Sequence, residues 1–164
     1  MSVSAYRLAD EPRPGTLAKL AVRPLWPLFA VMFAGPWLSW PWFVLNAFAV
    51  GSPTRGRELR LAVVGAIGSL VLVVGLALLV RQVAGLAAWL SYLLTLVIIW
   101  QLAITYALYT LQARTFGIYE YYGGIVQNGL PVVFVGFILD GRLGPALSAG
   151  LGRSGTLLRM ALGF

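Results

Sequence analysis

The chain contains no cysteine and no histidine. The first absence removes disulfides, thiolate nucleophiles and cysteine-ligated metal or iron–sulfur sites. The second removes the commonest general base. Charge is scarce as well: 10% of the 164 residues are Asp, Glu, Lys or Arg, where a soluble domain carries about a quarter. The acids are Asp10, Glu11, Glu58, Glu120 and Asp140, and none lies inside an uncharged run. No nucleophile–base pair or ligand set can be assembled from this inventory, so the expectation is a protein without enzymatic activity, metal or cofactor. Transport coupled to an ion usually leaves an ionisable side chain at bilayer depth, and the sequence offers none.

What fills the chain is hydrophobic: 60% of its residues are apolar or aromatic. Four apolar segments stand out, at 25–50, 61–80, 83–113 and 125–139. Runs of about 18 or more such residues mark membrane-spanning helices. Segment 61–80 is uncharged for 20 residues and 83–113 for 31; at about 1.5 Å per residue the second exceeds the ~30 Å hydrocarbon layer by about ten residues. Only Arg81 and Gln82 separate them, which predicts a central helical hairpin.

The outer two segments are interrupted. In 25–50 the stretch AGPWLSWPW carries Gly35, Pro36 and Pro41, and a proline inside a helix costs about 3 kcal/mol or more. Segment 125–139 has 15 residues and contains Gln127-Asn128-Gly129 and Pro131, whereas a span needs about 17 to 25. Each segment either crosses or folds back on one side. Lys and Arg favour cytoplasmic loops near span ends. If all four segments cross, the cluster Arg55, Arg57 and Arg60 lies outside with Arg114; if both outer segments re-enter, Arg81 alone lies outside. The rule prefers double re-entry, with four spans as the alternative.

The fold expected is therefore an all-α integral membrane protein: a cytoplasmic tail at 1–24, one membrane domain at 25–141, and an interfacial amphipathic tail at 142–164. The first 24 residues lack the apolar core and cleavage site of a signal peptide, so the N-terminus is expected inside. The net charge of +7 comes from single basic residues scattered among apolar runs. This reads as topology and contact with anionic lipid, and nucleic acid is not expected as a partner.

Neutral polar residues mark candidate packing or pathway positions: Asn46, Gln101, Thr105, Gln127 and Asn128. Gln101 and Thr105 are four apart and share a helix face. Gly65, Gly68 and Gly75 permit close helix–helix contact. Trp37, Trp40, Trp42, Tyr119, Tyr121 and Tyr122 suit the membrane interface, where a ring is buried while its polar atom stays wet. Glu120 and Asp140 are expected as interfacial carboxylates, near Arg114 and Arg142.

Phe33-Ala34-Gly35-Pro36 with the following Asn46 and Gly51, and Leu111-Gln112 with Tyr119 and Gly123-Gly124, resemble a group of small bacterial multi-pass inner-membrane proteins. These carry a Phe-Gly-Gly-Pro-like break and an Asn near the end of the broken segment. Ala34 departs from that pattern. The resemblance implies a bacterial inner-membrane setting and no particular function. The function expected is a non-enzymatic accessory or scaffold subunit of a larger membrane assembly, with lipids, other subunits or a second copy as partners. A small oligomeric channel or transporter, and a lipid-binding or membrane-shaping protein, are the alternatives.

Overall fold

The computed structural model describes residues 15–83 and 85–162. Most of the expected N-terminal tail, up to residue 14, and the chain end at 163–164 lie outside them. The described chain is helical: a 3₁₀ turn at Thr16–Leu20, α1 (Leu25–Ala34), α2 (Pro36–Val50), α3 (Arg55–Gln82), a 3₁₀ turn at Leu86–Trp89, α4 (Leu90–Tyr121) and α5 (Leu130–Leu162). Two of these, α3 and α4, are long and apolar enough to cross a membrane.

The break at Gly35 is a reversal. Its backbone adopts φ 75° and ψ 175°, a conformation open to glycine and strained for other residues, and Pro36 then occupies the first position of α2 with its φ preset for a helix. In one straight helix residues 27 and 39 would stand about 18 Å apart. Here the Ser39 hydroxyl donates to the Pro27 carbonyl at 2.7 Å, so α1 and α2 run back to back. Pro41, expected to share in the break, lies inside a continuous α2 on its exposed side; the ring has open space there, and α2 accommodates it. The helix ends at Gly51, φ 67°, where Ser52 N–H reaches the Ala47 carbonyl at 2.8 Å, a glycine-terminated helix end.

Asn46 closes the open end of this α1–α2 hairpin. Its Nδ2 donates to the Val22 carbonyl at 2.7 Å, and its Oδ1 accepts the Val22 amide at 3.1 Å. The same strap is held from its other side by the Gln127 amide, which donates to the Ala21 carbonyl at 2.8 Å. The residues entering α1 and those entering α5 are thereby fixed together.

The central hairpin of α3 and α4 forms with shifted ends. α3 begins at Arg55, not at 61, and takes Arg57, Glu58 and Arg60 into the helix. The turn falls at 83–89 and includes Gly85, later than the Arg81-Gln82 link expected. Each helix buries a single stripe; on α3 it is Glu58, Ala62, Gly65, Ser69 and Val73. Only 17% of the apolar window of α3 and 28% of that of α4 is buried, so most of their apolar surface faces outward.

The fourth segment departs most from expectation. Residues 130–162 form one helix that runs through Gly144, Pro145 and Gly150, where the sequence predicts a short apolar piece followed by a separate tail. Its first turns lie on the α1–α2 hairpin at two close approaches. A Cβ at Gly129 would stand 2.6 Å from Trp26, and one at Gly136 would collide with the Leu38 side chain.

Candidate functional site

The buried polar groups concentrate where α3 begins, α4 nears its end and α2 stops. Glu58 is completely buried. Its Oε1 accepts the Ser52 hydroxyl at 2.6 Å and the Thr54 hydroxyl at 2.7 Å, and its Oε2 accepts a proton of Gln112 Nε2. The second Nε2 proton of Gln112 goes to the Phe43 carbonyl of α2. One carboxylate and one carboxamide thus join α2, the 51–54 turn, α3 and α4. Glu58 also sits in the first turn of α3, where the helix dipole favours negative charge. Gln112 Oε1 is buried without a hydrogen-bond partner among the described residues. Glu58 lies outside the uncharged run 61–80, as the sequence has it, yet the packing of the helices buries it.

A second polar set lies farther along the helices. Trp40 Nε1 donates to the Thr105 hydroxyl at 2.9 Å, which donates in turn to the Gln101 carbonyl at 2.7 Å. Trp100 Nε1 donates to the Gly65 carbonyl at 3.1 Å. Gly65 is packed by Ile104 and Trp40, and a Cβ at Gly68 would stand 2.5 Å from the Trp100 ring. Gly75 meets nothing within 4 Å. Two of the three glycines anticipated at helix contacts therefore seat tryptophans, and the third faces open space.

Of the aromatic residues expected at an interface, Trp40, Trp42 and Tyr119 are buried. The reversal at Gly35 packs one side of α2 against α1, α3 and α4, so Trp40 and Trp42 meet protein. Tyr119 packs with Phe116 against Ala21, Ala49 and Val50, and its ring occupies the space that a side chain at Gly124 would need. Tyr121 and Tyr122 are exposed, and Trp37 is half-buried. Glu120 pairs with Arg23 at 3.1 Å, not with Arg114.

The neutral polar residues separate in the same way. Asn46, Gln101 and Thr105 are buried. Gln127 and Asn128 are exposed, and the side-chain Oδ1 of Asn128 accepts the Leu130 amide at 3.0 Å, capping α5. The five do not line one path.

The chain matches no family model, no curated protein and no solved structure.

The residues that sequence reasoning missed are Ser52, Thr54, Glu58 and Gln112, together with the glycine pair Gly129 and Gly136. A signal was present for Ser52, Thr54 and Glu58 and for the glycines, but not for Gln112, which meets Glu58 from 54 positions away. Hydroxyl residues followed by an acid in the first turn form a helix-start pattern. Two glycines seven apart lie on one helix face. Among the described residues no group of three potential ligands is placed to hold a metal ion.

Proposed function

We propose that the chain is a small membrane-embedded scaffold subunit without enzymatic activity, seated in a bacterial inner membrane. In this reading α3 and α4 cross the bilayer. The α1–α2 hairpin enters and leaves from one side, whereas α5 starts at that side and continues as one helix without a reversal. Lys19, Arg23, Arg55, Arg57, Arg60 and Arg114 lie at the end of the bundle that holds the Glu58 cluster, and Arg81 lies at the opposite end. The positive-inside rule makes the Arg-rich end cytoplasmic, with the N-terminus on that side.

The observation that carries the scaffold reading is the division of polar and apolar side chains. Asn46, Glu58, Gln112, Thr105 and Ser39 are each engaged in tying one part of the bundle to another, while the outer faces are apolar. On α4 the exposed residues Tyr92, Leu96, Ile99, Ala103 and Tyr106 recur at spacings of four and three. That spacing forms the seam used by packed helices. It includes a small residue and two phenolic hydroxyls, which suit contact with another membrane helix.

The absence of native cysteine makes a test direct. Single cysteines at Ile99 and, on the outward face of α3, at Val71 are compared in native membranes with a short bifunctional crosslinker. Position 99 is expected to yield a discrete higher-mass product and position 71 little. A protein that stays monomeric at both positions, and captures no partner, contradicts the scaffold reading.

A transport reading has one observation in its favour: a carboxylate enclosed among apolar helices is characteristic of ion-coupled carriers. Cation or proton flux in proteoliposomes that disappears in Glu58→Gln would favour it over the scaffold.

A further inference from the structure

We propose that a groove on the outer face of α2 is a binding site for one anionic phospholipid, with the acyl chain along α2 and the phosphate at Lys19. The proposal rests on the membrane reading but not on the scaffold reading. The groove encloses about 580 Å³ between the Thr16–Leu20 turn, α2 and the start of α5. Its floor includes Trp37, Pro41, Leu45 and Ala49, spaced four apart and so aligned along one side of the helix. From Trp37 to Ala49 this floor is about 18 Å long, close to the ~15 Å depth of one hydrocarbon leaflet.

The two ends differ chemically. At the Trp37 end the neighbouring walls are apolar. At the Ala49 end stand Lys19, Gln127 and Asn128, all exposed. The side-chain Oδ1 of Asn128 is engaged in capping α5, which leaves its Nδ2 to donate outward. Among the described residues no carboxylate lines the groove. An ammonium and two carboxamides above an apolar trough one leaflet deep complement a phosphate ester carrying a fatty acyl chain. They lie at the bundle end that carries Arg55, Arg57 and Arg60, the end that faces the anionic cytoplasmic leaflet in this topology. A zwitterionic lipid offers the same chain without the net charge that Lys19 selects.

Native mass spectrometry of the detergent-purified full chain tests this with dioleoyl phosphatidylglycerol and dioleoyl phosphatidylcholine. The expected result is a one-to-one adduct with an about fivefold preference for phosphatidylglycerol, the size of effect that one basic residue has at an anionic surface. Lys19→Gln is expected to abolish the preference while keeping the adduct. Leu45→Trp, at an exposed position that projects into the trough, is expected to remove the adduct for both lipids, with unchanged helical circular dichroism. An adduct insensitive to Leu45→Trp, or equal retention of both lipids by the unmodified chain, overturns the proposal. Release of the chain from membranes by alkaline carbonate overturns the membrane reading beneath it, whereas a membrane-retained chain without an adduct overturns the groove alone.

Discussion

Replacing Gln112 by glutamate is expected to destabilise the protein more than replacing it by leucine, although glutamate matches glutamine in shape. The two protons of Gln112 Nε2 are both in use, one toward Glu58 and one toward the Phe43 carbonyl. Leucine leaves those two acceptors short of a donor in a buried site, at about 1–3 kcal/mol each. Glutamate removes the same donors and sets a carboxylate against both acceptors, one of them charged. Like charges about 4 Å apart repel by roughly 4 kcal/mol at an effective dielectric near 20. Against a total stability on the order of 5–15 kcal/mol, the Gln112→Glu chain is expected not to accumulate in membranes, with Gln112→Leu intermediate between it and the unsubstituted protein. Thermal unfolding of the purified variants in detergent orders them. A Gln112→Glu variant as stable as the unsubstituted chain means that Glu58 and Gln112 do not meet.

The next largest effect is expected at Asn46. Its side chain pairs with both backbone groups of Val22, and Val22 is buried. Asn46→Leu conserves most of the volume but leaves a buried N–H and a buried C=O without partners, a loss of about 2–6 kcal/mol in all. The damage is local, because the bonds lie at the open end of the α1–α2 hairpin. Hydrogen exchange at the Ala21 and Val22 amides is expected to accelerate strongly, and proteolysis at Lys19 and Arg23 to follow it. Asn128→Leu removes only an exposed cap, worth about 1 kcal/mol, and is expected to leave the Val22 amide protected. Equal exchange in the two variants contradicts the role given to Asn46.

How much of this was legible in the sequence depends on the range of the interactions that decide each feature. The reversal at Gly35-Pro36 is local, a glycine that takes a backbone angle closed to other residues followed by a proline suited to start a helix, and it shows in the residues themselves. The apolar runs likewise announce α3 and α4. The start of α3 is not visible in the apolar run, because residues 55–60 are polar and charged. What encloses Glu58 there is Gln112, 54 positions later in the chain. Trp40 and Trp42 read as interfacial because indole N–H groups need polar partners, but Trp40 finds its partner on α4 at Thr105. In α5 the glycines and Pro145 argue for a stop. Each glycine costs only about 1 kcal/mol in a helix interior, and packing of α5 on α1 and α3 overrides that preference.

Asn46 and Asn128 illustrate the same limit within the candidate site. Both are amides beside a broken apolar segment, and nothing in composition distinguishes them. One is buried against a backbone strap that lies 24 residues earlier, and the other caps the helix that follows it.

The central claim is that segment 25–50 enters and leaves the membrane on one side, so that its two flanks share a compartment. Single cysteines at Lys19, Pro53 and Gln82, all exposed, report on this when intact cells are treated with a membrane-impermeant maleimide. Lys19→Cys and Pro53→Cys are expected to stay unlabelled until the membrane is opened, whereas Gln82→Cys is labelled from outside. Labelling of Pro53→Cys from the same side as Gln82→Cys contradicts the account, because the segment would then cross.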